Sequence, residues 1–223
     1  MKSIIIISGG MDSTTLLYYL VKSLKAEVKA LSFNYGQRHK KELEYAKKVC
    51  NKLGVPHKII NLSNIQELIS NSALTGDIEV PNGHYEDKSM KLTVVPNRNM
   101  IMLSIAIGYA ENLKYDCVAI ANHAGDHAIY PDCREEFISS LNTSSILGTY
   151  NKIKIFAPFT RLTKGQIAFI GSKLGIDYDK ETWSCYRGGE THCGKCGTCI
   201  ERFESLEIAK TIKKLPKDLG IIL

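Results

Sequence analysis

Four cysteines, Cys185, Cys193, Cys196 and Cys199, stand at the spacing C-x7-C-x2-C-x2-C, with Gly194 and Gly197 following two of them. The two-residue gaps let successive thiolates converge on one ion, and the glycines permit the tight turns between them. Four sulfurs close a tetrahedral shell without the neighbouring His192, so the pattern points to a structural Zn2+ site. C-x2-C-x2-C also opens ferredoxin-type iron–sulfur ligation, but the position where that run places its next cysteine is Phe203 here. The spacing favours zinc and leaves an iron–sulfur cluster as the rival. Cys50, Cys117 and Cys133 have no metal spacing, and the first two fall on apolar patterns as small core residues.

The second constellation lies at the other end of the chain. Ser8-Gly9-Gly10-Met11-Asp12-Ser13-Thr14 follows the apolar run 4–7 and opens a stretch with helical spacing at Leu16, Leu17 and Leu20. Gly9 and Gly10 permit backbone angles that turn successive N–H groups into one concavity, and the helix that follows adds its positive end. Ser8, Ser13 and Thr14 offer hydroxyls to phosphate oxygens, and Asp12 offers a carboxylate to a nucleotide-borne Mg2+. No Gly-Lys-Ser/Thr follows, so this is not a Walker loop, and the G-x-G-x-x-G spacing is absent. The plain alternative is a tight strand-to-helix turn with Asp12 or Ser13 as the cap.

Three further segments fall where strand-to-helix loops belong. Val95-Pro96-Asn97-Arg98-Asn99 offers a guanidinium fork. Residues 122–134 concentrate Asp126, His127, Tyr130, Asp132 and Arg134 behind an apolar run, and Leu162-Thr163-Lys164 pairs a helix cap with a candidate phosphate cation. Singly, each reads as a capped turn with solvated charges. Their repetition on one side of one sheet makes them a site.

The elements that would hold these groups follow from periodicity. Short β-branched runs at 2–7, 27–33, 58–62, 117–121 and 154–156 alternate with helical patterns at 13–24, 40–53, 97–113, 134–147 and 164–174. Such alternation predicts an α/β fold, a parallel twisted sheet with helices on both faces and ligands at the carboxyl ends of the strands. Residues 71–95 show no clear period and read as a functional loop, a plausible lid. The sequence turns cysteine-rich after 175, with a helix expected over 200–213. This divides the chain into a nucleotide domain, 1–175, and a zinc-binding, helical region, 176–223, packed on it. The 223 residues suffice for one sizeable domain with an appendage, and 44% apolar content excludes whole-chain disorder. Lys and Arg number 29 against 23 acidic residues, a formal charge of +6 that suits anionic ligands but forms no stripe for nucleic acid. No run is long enough for a membrane span, and the N-terminal apolar run is shorter than a signal-peptide core, so a cytoplasmic protein is expected.

Ser-Gly-Gly-x-Asp-Ser resembles the loop of the ATP pyrophosphatases, adenine nucleotide alpha hydrolase-like enzymes that cleave ATP to AMP and pyrophosphate. Taken in order, residues 8–13, 95–99, 130–134, 162–164 and the four cysteines are similar to the 7-cyano-7-deazaguanine synthase family over nearly the whole chain. Tyr-Pro-Asp-Cys-Arg, residues 130–134, and the cysteine pattern carry the likeness more specifically than the glycine loop does. The chain departs from the family pattern at Asn97, where a small residue is common, and in 122–129.

The resemblance implies ATP-dependent conversion of 7-carboxy-7-deazaguanine and ammonia to the nitrile through adenylated acid and amide intermediates. It implies a homodimer with no direct nucleic-acid partner, ATP with Mg2+ as the nucleotide, and Zn2+ on Cys185, Cys193, Cys196 and Cys199. Ser8, Gly9, Gly10, Met11, Asp12, Ser13 and Thr14 would hold the phosphates. Asp12, Arg98, Lys164 and Asp132 would serve catalysis, and Asn99, Tyr130, Asp132 and Arg134 the base. The competing readings are another pyrophosphatase-loop amidating or tRNA-thiolating enzyme, a relative adenylating a different acceptor, and a zinc-ribbon binding module.

Overall fold

The isoleucine run near the N-terminus becomes the middle strand of a sheet. The computed structural model describes residues 1–38, 40–84 and 87–223. Strand β1 (Lys2–Ile6) pairs in parallel with β2 (Glu27–Asn34) and β4 (Cys117–Ala119), while β3 (His57–Asn61) and β5 (Lys154–Phe156) form the edges. The order is β3-β2-β1-β4-β5. Alternate residues of the central strands face opposite ways, so Ile5, Ala30 and Ala119 enter one apolar cluster and Ile4, Leu31 and Val118 the other. Helices α1 (Met11–Tyr18), α2 (Lys41–Lys52), α5 (Lys164–Lys173) and α7 (Gly197–Thr211) cover the first face. Helices α3 (Arg98–Leu113) and α4 (Glu135–Gly148) cover the second. The parallel sheet clad on both faces is the architecture that the alternating periodicity predicts.

The differences from expectation are local. The first helix starts at Met11 rather than 13, with Gly10 as its extended cap residue, and passes into a π-helical turn, Tyr19–Ser23, that the apolar period does not register. The helix expected from 97 starts at Arg98, because Asn97 sits in the left-handed region at φ 52°. Glycine and asparagine tolerate that region best, which gives the departure at this position a backbone reason. A one-turn helix α6 (Tyr178–Glu181) lies where only turns were expected.

Among the described residues of 71–95, which exclude 85 and 86, the segment packs down rather than hanging free as a simple lid. It carries a 3-10 turn, Lys88–Thr93, and buries Ala73, Leu74, Met90 and Thr93. It is also stitched to the cysteine region by an antiparallel bridge between Asn82 and Cys196 and by the Arg187 guanidinium donating to Asn82 Oδ1 at 2.6 Å.

The C-terminal segment is held by one buried cation. Arg202 on α7 donates to Thr182 Oγ1 at 2.6 Å and to the Tyr178 carbonyl at 2.5 Å, with Asp179 at 3.4 Å. Close packing of α7 on α5 adds to this, since a Cβ at Gly165 would meet Ile208 Cγ2 at 2.5 Å. Replacing Arg202 by Met leaves the Thr182 hydroxyl without its donor and the Tyr178 carbonyl with the Thr182 hydroxyl alone, and it removes the guanidinium that ties α7 to both. The expected loss is about 2–3 kcal/mol of unfolding free energy, read from urea denaturation of the full chain.

Candidate active site

The strand order reverses between β1 and β4, and both loops that leave this point open into one cleft of about 250 Å3. On the β1 side, Gly9 adopts φ 93° and packs under the first turn of α2, where a Cβ would stand 2.1 Å from the Glu42 carbonyl oxygen. Gly9 also receives the Trp183 N–H on its carbonyl at 2.9 Å. The loop is closed internally: the Gly10 N–H donates to Ser8 Oγ at 3.1 Å and the Ser8 N–H to Ser13 Oγ at 3.2 Å. Ser8, Gly10, Met11, Asp12 and Ser13 line the cleft, whereas Gly9 supports the loop from behind and Thr14 is fully buried.

A charge cluster occupies the mouth of this loop. Lys164, just after the Thr163 cap of α5, lies 3.4 Å from Asp12 Oδ2 and 2.6 Å from Glu201 Oε2 on α7. Burial disfavours its charge, but the carboxylates of Asp12, Glu201 and Asp126 outweigh that and hold its pKa above the ordinary lysine value. His123, 1% exposed, lies 3.8 Å from Asp12 and 3.5 Å from Asp126. Its Nδ1 accepts from the Gly125 N–H at 3.1 Å, so the proton of the neutral ring belongs on Nε2, facing both carboxylates. Asp12 Oδ1 is enclosed and has no hydrogen-bond partner among the described residues. An orphaned carboxylate oxygen beside a phosphate-type loop fits a divalent cation carried by a nucleotide.

A second group of side chains gathers around Arg98. Tyr35, Asp132, Cys133 and Tyr186 keep its guanidinium charged against the cost of burial. The hydroxyls of Tyr130 and Tyr186 approach to 3.4 Å, and Tyr130 meets Thr93 Oγ1 at 2.8 Å. Glu42 also faces this part of the cleft, and burial, only partly opposed by Arg98, pushes its carboxyl from 4.5 up to about 7.

The expected base-binding residues separate here. Asn99 and Tyr130 line the cleft, but Asp132 and Arg134 do not. Asp132 turns its carboxylate onto the start of α3, accepting the Asn99 N–H at 2.9 Å, and Asn99 reaches back to the Asp132 carbonyl and Cys133 Sγ. Asp132 therefore anchors the helix that presents Arg98, and Arg134 is exposed, donating to the His127 carbonyl at 3.0 Å. Sequence reasoning missed Tyr35, Glu42, Trp183, Tyr186 and Glu201. The acidic first turn of α2 behind a strand-to-helix loop was a usable signal for Glu42; Glu201 and Tyr186 arrive only through tertiary packing.

The Sγ atoms of Cys185, Cys193, Cys196 and Cys199 all lie within 4.8 Å of one another, near the ~3.8 Å edge of a tetrahedron with Zn–S bonds of about 2.3 Å. The N–H groups of Cys193, Lys195 and Cys196 point at these sulfurs at 3.4–3.5 Å, a polarity that stabilises thiolates. The donor set fits a metal ion. His192 stays outside it, accepting the Ser184 N–H and stacking on Trp183 at 4.3 Å.

Fold and cleft together define a nucleotide-binding α/β protein of the adenine nucleotide alpha hydrolase type. Solved structures share that fold at low identity. NMN synthetase from Francisella tularensis gives a TM-score of 0.53 at 15% identity, covering 98% of this chain and 80% of its own. A tRNA thiolase, NcsA from Methanococcus maripaludis, solved with its 4Fe–4S cluster, gives 0.52 at 18%, covering 100% and 74%. The family described as Queuosine biosynthesis protein QueC matches residues 2–210. The 7-cyano-7-deazaguanine synthase of Hahella chejuensis is 54% identical over 92% of this chain and 88% of its own length. That of Methanoregula boonei is 51% identical over 94% and 95%. The chain belongs to the QueC family, the 7-cyano-7-deazaguanine synthases, and is an ATP-dependent enzyme of the ligase type acting on a small molecule.

The Glu42 carboxyl has a pH signature. In the folded chain it keeps its proton up to about pH 7, while the unfolded group releases it near 4.5. Between these values the native state binds the extra proton, so this group's contribution favours folding on the acid side and is lost as pH rises through about 7. Glu42→Gln is expected to remove that slope, amounting to at most about 3 kcal/mol, in urea titrations of the ligand-free protein between pH 5 and 8 run beside the unaltered chain (roughly the titration window).

Proposed function

We propose that the cleft adenylates 7-carboxy-7-deazaguanine and then its amide, using ammonia as the nitrogen donor. The observation that carries this reading is the closed loop of residues 8–14 at the start of α1, facing Arg98 and Lys164 across one cleft. A carboxylate oxygen of the base attacks the α-phosphorus of ATP and pyrophosphate leaves. Ammonia then attacks the acyl carbon, AMP leaves and the amide remains. The amide oxygen is adenylated by a second ATP, and loss of AMP with the amide protons gives the nitrile.

Each residue has a place in this scheme. The N–H groups of the loop and the hydroxyls of Ser8 and Ser13 take the phosphates. Asp12 would hold Mg2+, which would neutralise charge on the leaving pyrophosphate, and Lys164 would exchange its contact with Asp12 for phosphate oxygen. Arg98 steadies the charge that develops at the reacting centre, where prearranged dipoles cost no reorganisation. Asn99 and Tyr130 border the base, and Asp132 acts by fixing α3. Juxtaposition of base, nucleotide and ammonia accounts for much of the acceleration, since effective molarity supplies about 7–11 kcal/mol.

The tight thiolate cluster supports Zn2+ over an iron–sulfur cubane, which spreads its ligands farther apart than one ion does. We read residues 176–223 as a metal-bearing region docked on the nucleotide domain 1–175. We also read the enzyme as a cytoplasmic homodimer; no helix among the described residues is long and apolar enough to cross a membrane.

Purified protein given Mg2+-ATP, ammonium and 7-carboxy-7-deazaguanine is expected to yield the nitrile with AMP and pyrophosphate by mass spectrometry. AMP without change in the base would show the wrong acceptor, and no turnover by folded, metal-replete protein would sink the reading. Asp12→Asn is expected to lower kcat by roughly 100- to 1000-fold while the protein stays folded. For the metal, elemental analysis is expected to find about one zinc per chain and negligible iron, and Cys196→Ser to abolish stoichiometric retention. Iron with the visible absorption of a cluster would reverse that assignment.

A further inference from the structure

Carboxylates at the loop end of the cleft are paired: Asp12 and Glu201 sit on Lys164, and Asp126 faces His123. Glu42 differs. Its side chain lines the same cleft, within electrostatic reach of Tyr35 and Arg98, yet no described residue donates a hydrogen bond to it or forms an ion pair with it. Arg98 is near enough to feel its charge but does not close on it. The side chain is partly accessible only because it borders the cleft, and its position is fixed. Helix α2 is pressed onto Gly9 through the Glu42 carbonyl itself, so the residue cannot retreat without moving the phosphate loop.

Holding a carboxyl away from bulk water without a hydrogen-bond partner costs free energy, and in a ligand cleft the missing donors are those of the ligand. Burial that raises the group's pKa in the empty protein agrees with an unmet demand for donors. Among the reactants, adenine offers an amine next to a ring acceptor, which leaves one carboxylate oxygen facing a lone pair. The 2-amino-4-oxo edge of a deazaguanine offers two N–H donors side by side, a match for both carboxylate oxygens. We infer that Glu42 is the specificity residue for the base, accepting hydrogen bonds from its ring N–H and its exocyclic amine. The inference rests on the proposed substrate and adds the atoms that select it. Arg98, next to Glu42, is then free to serve the oxygen-rich side of the same ring system.

Calorimetric dissociation constants of the full-length, metal-loaded protein test this directly. The ligands are 7-carboxy-7-deazaguanine, its analogue lacking the 2-amino group, and ATP. The unaltered protein is expected to prefer the parent base over the analogue by roughly 10- to 100-fold, the value of one bidentate contact. Glu42→Gln is expected to weaken the parent base by a similar factor, to erase the preference, and to leave ATP binding unchanged. Weakened ATP binding with the base preference intact would assign the carboxyl to adenine and overturn the inference. Unchanged dissociation constants with lowered turnover would do the same, leaving Glu42 a proton-transfer role. An unaltered protein that binds ATP and neither base would fail at the substrate reading and take the pairing with it. The analogue comparison on the unaltered protein needs no variant, so misfolding of Glu42→Gln leaves the inference testable.

Discussion

A single missing side chain sets how closely three segments can meet. At Gly9 the first turn of α2 lies against the nucleotide loop, with the Glu42 carbonyl where any β-carbon would be, while the Gly9 carbonyl accepts the N–H of Trp183 from the cysteine-rich segment. Positive φ at Gly9 is therefore only half of the requirement, and the approach of backbone to backbone is the other half. This contact brings Glu42, the glycine loop and the wall formed by Trp183 and Ser184 to one cleft, although that wall lies more than a hundred residues along the chain from the other two.

Lys164 plays the corresponding part for charge. It stands at the first helical position of α5, where the Thr163 hydroxyl and Gln166 side chain form a reciprocal cap and fix the start of the helix. From there its ammonium spans Asp12 of α1 and Glu201 of α7. Without nucleotide these contacts offset the cost of gathering three carboxylates around the loop. On the proposed reading, the same cation already stands where the phosphate charge of a nucleotide would arrive. An arrangement that changes partner rather than position keeps the reorganisation small.

Much of this was legible in the sequence, and the illegible parts share a cause. The sheet, its five strands and the helices between them follow from apolar periodicity; the phosphate loop and cysteine spacing follow from local chemistry that needs residues within a few positions of one another. Asn97 shows the limit of pattern: its departure from a small residue looks like a change to the base pocket, yet it is a left-handed backbone position that asparagine also fits. Asp132 shows another. Its place in a dense polar motif suggests contact with substrate, but its carboxylate accepts the Asn99 N–H in the first turn of α3. Glu42 precedes Tyr186 and Glu201 by more than a hundred residues, and no short-range spacing could have joined it to them.

The cysteine region bears on the chemistry through this same geometry. Trp183 Nε1 donates to the Cys185 carbonyl, Lys41 lies over the Trp183 ring at 4.0 Å, and its ammonium donates to the Gly189 and Glu190 carbonyls. The segment carrying Cys185, the first of the four clustered cysteines, is thus fastened to the start of α2, one residue before Glu42. Tyr186, one residue after that cysteine, reaches the Tyr130 hydroxyl on the opposite wall. A metal ion holding Cys185 to the other three cysteines would set the spacing between Trp183 and Tyr186, and with it the width of the cleft between Glu42 and Tyr130. On this argument a structural ion bound by the four cysteines would govern how well the base fits even at a distance from the glycine loop, because the residues flanking Cys185 are themselves the wall.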